Sequence, residues 1–387
     1  VEDFSIKRES WVLSLSVFLS LVSFFSVSVA QAPAEVHPQE SRMPFADLEA
    51  ILLKKQFDPS MARMYSRQQV AFYSFSTSKK SVELDLLLQS KWDAYVVSLS
   101  YERLLVLDRA GSQLVEFNTA KGTRHIVADR GRGATDLFFP KSLVIEGQTV
   151  YIPMGGFRIT AFDCSNEPCR LSHTVPLDKV NAGAMDRIGD DFLVLRHASG
   201  LSNDHPDIET VGAYSASIID GNGKVVKSFG ASYTYGKHWM LLDAFQKGYI
   251  VNLVGSELIG LAHETFPYVY LFNRDQHISK KLKLPNFMLG ERRYEPDTGA
   301  LHISYKNFSL IAQMNRLDDE RIIIEVYSRG GDGYAENYQR SSYFMLDPKR
   351  NRLHHMGDIS GGAGRLLFAD HGILQVTDDS VRWIPFN

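Results

Sequence analysis

Beyond about residue 68 the chain is a series of short apolar runs rich in Val, Ile, Leu, Tyr and Phe, punctuated by Gly, Asn, Asp and Pro. This is the pattern of an all-β fold. A recurrent unit is an apolar strand ending in Asp or Asn, a tight polar turn and a returning strand. Copies are LLVLDRAGSQLVEF (104–117), ITAFDCSNEPCRLSH (159–173), ASIIDGNGKVVKSFG (216–230), YVYLFNRDQHISKKL (268–282), SYFMLDPKRNRLHHMG (342–357) and LQVTDDSVRWIPF (374–386). Their anchors, Asp108, Asp163, Asp220, Asn273, Asp347 and Asp378, lie 55, 57, 53, 74 and 31 positions apart. Near-regular spacing of large units signals a repeat architecture. The long interval predicts an insertion and the short one a clipped terminal unit. Asp at a strand end accepts from nearby backbone N–H groups and starts a turn, and Gly supplies the positive φ.

Further strands precede several of these hairpins: SLVIEGQTVYIP (142–153), DDFLVLRH (190–197), KGYIVNLVG (247–255) and ERIIIEVYS (320–328). Inner strand, second strand, long loop and outer hairpin is the order of a propeller blade. The stretch GRGATDLFFPKSLVIEGQTVYIP…RITAFD resembles the bacterial secreted six-bladed β-propeller proteins, a group that includes NHL-repeat-like and TolB-like propellers. The resemblance covers roughly residues 70–387 and implies a six-bladed β-propeller; seven blades is the alternative, because 286–316 fits the repeat poorly. Pairing of the C-terminal VRWIPFN with an N-terminal strand such as QVAFYSFST (69–77) would close the ring and remove its open edges.

The N-terminal third of the first hundred residues has a different pattern. Lys7 and Arg8 precede the uncharged WVLSLSVFLSLVSFFSVSVA (11–30), which ends on Ser28 and Ala30. A basic region, an apolar region and a small-residue site describe a signal peptide over 1–30. If it is kept, the same run serves as a membrane anchor. Residues 31–67 read as a spacer with three prolines between 31 and 44, followed by a short amphipathic helix over 44–56, and 68–387 as the propeller domain. The expected location is periplasmic or extracellular.

Composition is that of an ordinary globular protein, with 44% apolar and 22% charged residues. A formal net charge of -3 gives no general attraction to nucleic acid, and no transmembrane segment is expected after signal cleavage. The only two cysteines, Cys164 and Cys169, sit within one hairpin turn of an exported chain, so a structural disulfide is expected. They leave no third thiolate for a structural zinc.

Candidate ligand-binding residues fall in or beside the long loops between second and third strands: Arg196, His197, Asp204, His205, Asp207, Glu209, His263, Glu264 and Tyr334. Carboxylates, imidazoles and aromatics of this kind suit a small ligand or a hard cation, although long surface loops are also polar simply because water covers them. The chain has no GxSxG elbow, HExxH helix, P-loop or dinucleotide-binding GxGxxG motif. Asp220-Gly221-Asn222-Gly223-Lys224 is a hairpin turn by composition, since Lys224 occupies a ligand position of a calcium loop. The reading is a non-catalytic exported module binding an envelope or extracellular protein, a peptide or a glycan, with no cofactor. The alternative is a metal-dependent hydrolase similar to the gluconolactonase-type propellers, holding Ca or Zn at the channel mouth.

Overall fold

A computed structural model describes residues 81–386 apart from 87, 134, 156–157, 179, 197–213, 232–246, 290–291, 296–299, 304–306, 331–337, 361–363 and 378–379. The signal segment, the spacer, the 44–56 helix and the 69–77 strand all lie outside the described residues.

The described residues form six four-stranded antiparallel sheets and one two-stranded hairpin. Blade 1 runs outward from Ala94–Ser98 through Arg103–Asp108 and Gln113–Asn118 to Thr123–Ala128. Blade 2 comprises Val144–Glu146, Thr149–Met154, Arg158–Asp163 and Arg170–Pro176. Blade 3 comprises Ala182–Ile188, Asp191–Arg196, Tyr214–Ile219 and Val225–Ala231. Blade 4 comprises Gly248–Leu253, Leu258–His263, Tyr268–Phe272 and Ile278–Lys283. Blade 5 comprises Phe308–Arg316, Ile322–Gly330, Tyr338–Asp347 and Arg352–Ser360. Blade 6 takes three strands from the C-terminus, Arg365–Ala369, Gly372–Val376 and Val381–Pro385, and its outermost from Val82–Leu84.

The ring is closed by packing as well as by pairing. Six apolar clusters fill the spaces between neighbouring blades, one for each seam. Blade 4 meets blade 5 through Val251, Leu271, Ile311 and Ile324, and blade 6 meets blade 1 through Trp383, Leu374, Val106 and Val115. Each sheet therefore buries both faces. This explains why strands such as RLLVLD and YVYLF are continuous apolar runs instead of strict alternations. It also makes six-bladed closure the observed fold.

Two predicted anchors sit on a different hairpin from the rest. Asp163, Asp220, Asn273 and Asp347 open the turn between third and fourth strands, as expected. Asp108 instead ends the second strand of blade 1, where its carboxylate accepts from the Gly111 and Gln89 amides at 2.9 and 3.0 Å. The equivalent outer turn in blade 1 opens at Asn118, whose Oδ1 accepts from the Lys121 amide. Asp378, itself outside the described residues, likewise follows the second strand of blade 6 and precedes the third in chain order. Inner and outer hairpins have the same local chemistry, so the pattern alone does not say which is which.

The short final interval thus reflects a change of hairpin and a borrowed strand, not a clipped unit. The closing strand is Val82–Leu84, paired antiparallel with Val381–Trp383, and not the 69–77 segment. The long interval before blade 5 does hold an insertion, the hairpin Arg292–Glu295 with Ala300–Ile303. In the Asp220 turn the carboxylate accepts from the Asn222 and Lys224 amides, and Gly223 has φ +87° with its α-carbon against the Pro176 carbonyl. A side chain has no room there.

Candidate functional site at the channel mouth

Antiparallel order fixes two faces. Turns between first and second strands, and between third and fourth, lie at one end of every blade. Connections between second and third strands, and between blades, lie at the other. The inner strands of all six blades line a central channel, among them Val96, Val144, Met185, Ile250, Asn315 and Ala369. Its cavity volume is about 90 Å³, well below the roughly 300 Å³ of a drug-sized site. Waters and the end of a ligand fit.

At the end carrying the between-blade connections, charged and aromatic groups from several blades converge. Ser90 caps a single 3-10 turn, Lys91–Asp93, by accepting from the Trp92 amide, and this turn leads into blade 1. Asp93 pairs with the Arg109 guanidinium, and the Arg109 amide donates to the Asp93 carbonyl at 2.9 Å. Tyr95 and Tyr249 both line the channel. The Tyr249 hydroxyl donates to the Ala312 carbonyl at 2.6 Å, and Arg365 donates to the same oxygen at 2.6 Å. Arg365 also donates to the Trp92 carbonyl and to Glu325, and its guanidinium lies 5.6 Å from the Trp92 ring centre. Trp92 in turn packs edge-on against Tyr327, 4.7 Å between ring centres.

The electrostatics tie this set together. Burial pushes the Tyr95 hydroxyl above its ordinary range; Arg109 opposes the shift and Glu264 adds to it. Burial, then the nearby Glu264 charge, pushes Tyr249 up further. For Arg109, burial disfavours the charge, but the paired Asp93 carboxylate opposes it and the guanidinium stays protonated. Both tyrosines are therefore neutral donors at any physiological pH.

The predicted site residues divide into three groups. Glu264, on the connection leaving the second strand of blade 4, acts on Tyr95, Tyr249 and Arg109 and belongs to the mouth. Arg196 and His263 end second strands at the same level but are only 1% exposed. Arg196 donates to Ser217 at 2.9 Å, and His263 packs against Phe266. They are interior groups and not loop groups. His197, Asp204, His205, Asp207, Glu209 and Tyr334 lie outside the described residues.

Sequence reasoning missed Trp92, Asp93, Tyr95, Arg109, Tyr249 and Arg365. No local motif marks them: Trp92, Asp93 and Tyr95 open one inner strand, Arg109 follows the next strand of that blade, Tyr249 and Arg365 sit on two other inner strands, and only ring closure brings the three blades together. Among the described residues no group of three or more His, Cys, Asp and Glu is arranged to hold a metal ion.

The far end is built differently. Asp186 accepts from the Asn252 and Arg187 amides at 2.7 and 2.8 Å and joins blade 3 to blade 4. The Cys164–Cys169 disulfide forms within the outer turn of blade 2, as expected, with α-carbons 4.2 Å apart. That turn docks on blade 1: Arg103 donates to the Cys164 and Asn166 carbonyls, and Glu116 accepts from the Cys169 amide at 2.7 Å.

No family model and no curated protein matches the chain. Solved structures do. A protein of unknown function from Bacteroides thetaiotaomicron VPI-5482 is 10% identical, over 81% of this chain and 73% of that one, with a TM-score of 0.47. A member of the DUF4221 family from Bacteroides vulgatus ATCC 8482 is 9% identical over 79% and 98%, also with a TM-score of 0.47. Streptogramin B lyase is 8% identical over 80% and 98%, with a TM-score of 0.43. Likeness at this level concerns the fold and goes no further.

Proposed function

We propose that the protein is an exported β-propeller that binds a protein, peptide or glycan partner at the channel mouth and does no chemistry on it. The observation that carries this reading is the convergence of Trp92, Asp93, Tyr95, Arg109, Tyr249 and Glu264 at one end of a narrow channel. Rigid inner strands hold these groups, and the second strands of blades 3 and 5, Asp191–Arg196 and Ile322–Gly330, end on the same face. Polar and aromatic groups held in fixed positions by a rigid scaffold are the arrangement of a recognition surface. Export is supported by the charged-then-apolar N-terminus and by the disulfide.

The test is capture of partners from the native envelope by the mature chain and by Arg109→Ala and Glu264→Ala variants. A partner held by the parent chain and lost from both variants supports the reading. Capture indifferent to both variants overturns the placement at the mouth.

Glu264 at the mouth favours a second reading, the Ca- or Zn-dependent hydrolase, since a carboxylate there, joined by Asn or His ligands, is what such a site requires. Thermal melting with and without EDTA separates the two. A melting temperature lowered by chelation and restored by one of these ions favours the hydrolase; an unchanged melt favours the binding module.

A further inference from the structure

We propose that the partner group received at the channel mouth is the uncharged end of a glycan, a terminal sugar ring that rests on Trp92 and directs hydroxyls toward Tyr95 and the Arg109–Asp93 pair. This rests on the binding reading above and narrows its partner class.

Two of the cationic groups at the mouth are balanced within the protein. Arg109 is paired with Asp93, and Arg365 with Glu325. An ionic ligand would have to compete with these pairs for the same hydrogen-bonding edges, and for the buried Arg365–Glu325 pair separation is costly. A neutral polyol asks for something else: donors and acceptors side by side, left in place. The mouth supplies both. Tyr95 contributes a hydroxyl held neutral by burial. Asp93 and Arg109 are 29% and 38% exposed, so each offers an edge to solvent while paired with the other. A carboxylate is an acceptor only and a guanidinium a donor only, so the pair presents the two complementary halves a sugar hydroxyl can use.

The apolar side of the match is Trp92. It is 37% exposed, one of few large apolar side chains so exposed among the described residues, and Tyr327 and Arg365 hold its ring. A fixed indole at the rim, polar only at its N–H, suits a ligand with one apolar face and a polar edge. A sugar ring has that form. The channel behind has a cavity volume of about 90 Å³, space for hydroxyl groups and waters at the end of a ligand.

Calorimetric titration of the full mature chain tests this, with maltose, cellobiose, chitobiose and lactose as probes and short acidic and basic peptides as comparators. At least one disaccharide should bind, with affinity changing less than twofold between 50 and 500 mM salt, as a neutral ligand requires. Trp92→Ala should weaken it at least tenfold and Tyr95→Phe about fivefold, while Tyr101→Ala, on the opposite face, should bind as the parent does. Near-ultraviolet circular dichroism verifies that each variant is folded. Peptide binding that fades with salt, without sugar binding, overturns the inference in favour of a peptide site. Sugar binding unchanged in folded Trp92→Ala overturns the placement. If no sugar binds but mouth-dependent capture of an envelope partner persists, the glycan inference fails and the binding module stands.

Discussion

Arg365 donates its Nε hydrogen to Glu325 at 2.8 Å across the seam between blades 6 and 5, and both side chains are buried. Glu325 also accepts from the Ser341 hydroxyl at 2.8 Å, while Arg365 also donates to the Trp92 and Ala312 carbonyls. One ion pair thus joins blades 5 and 6 to the turn that opens blade 1. Removing the carboxylate leaves a buried guanidinium short of its partner. Glu325→Ala should cost about 3–5 kcal/mol, the usual result of breaking such a pair. Replacing both residues by apolar ones, Glu325→Leu with Arg365→Met, should cost less. Urea denaturation midpoints decide it, and a double variant as unstable as the single one would contradict the argument.

The ring depends on a three-residue strand. Val82, Glu83 and Leu84 pair with Trp383, Arg382 and Val381 and cover what is otherwise the free edge of blade 6. Trp383 is fully buried, and its indole N–H donates to the Tyr101 carbonyl at 2.8 Å. Deleting residues 1–84 should therefore expose a sheet edge and promote association, visible as larger species by light scattering. Trp383→Ala in the mature chain should lower stability by roughly 3–5 kcal/mol. A deletion that stays monomeric with an unchanged melting temperature would show that closure is carried by the seams alone.

Much of this architecture could be read from the chain, and the reason is local. Blade 2 was legible because strand, turn and hairpin follow each other over residues 142–173 with an Asp and a tight turn in place. The Asp220 turn was legible because Gly223 alone satisfies its backbone. Asp108 misled because an inner turn with a capping Asp looks like an outer one. The closing strand was missed because VEL is too short to stand out from its surroundings. The mouth was hidden for a deeper reason. Tyr95 and Tyr249 belong to different blades, and their meeting with Arg109 and Glu264 is a property of the closed ring, not of any window of sequence. Glu264 was found only because its loop was singled out as a whole.

The disulfide should matter for stability and not for binding. Its turn lies on the face opposite the mouth and is tied to blade 1 by Arg103 and Glu116 independently of the sulfurs. Closing so short a loop contributes about 2 kcal/mol. Cys164→Ser with Cys169→Ser should lower stability by that amount and leave capture of a partner unchanged. Loss of binding in a folded double variant would place the functional face at the wrong end of the channel.

Two carboxyl groups at the disulfide face and the channel wall should respond to pH with opposite sign. Burial raises the Asp186 carboxyl above its ordinary value, with Arg316 and the Asn252 and Arg187 amides only partly offsetting it. Between the unfolded value, about 3.9, and that raised value the folded chain binds more protons, so the contribution is complete below the window and lost as pH rises through it. Glu167 is the reverse. Lys121 and Thr123 donate to its carboxylate and hold it down at about 2, so its contribution is present above its ordinary 4.5 and lost as pH falls toward 2. Asp186→Asn, which does not titrate, should gain stability relative to the parent as pH rises from 4 to 7. Glu167→Gln should lose stability relative to the parent near neutral pH and converge with it as pH falls toward 2. Urea midpoints measured across pH 2–7 give both differences. A constant offset for Asp186→Asn would mean that the interior accommodates that charge, and convergence of Glu167→Gln at high pH would reverse the assigned sign.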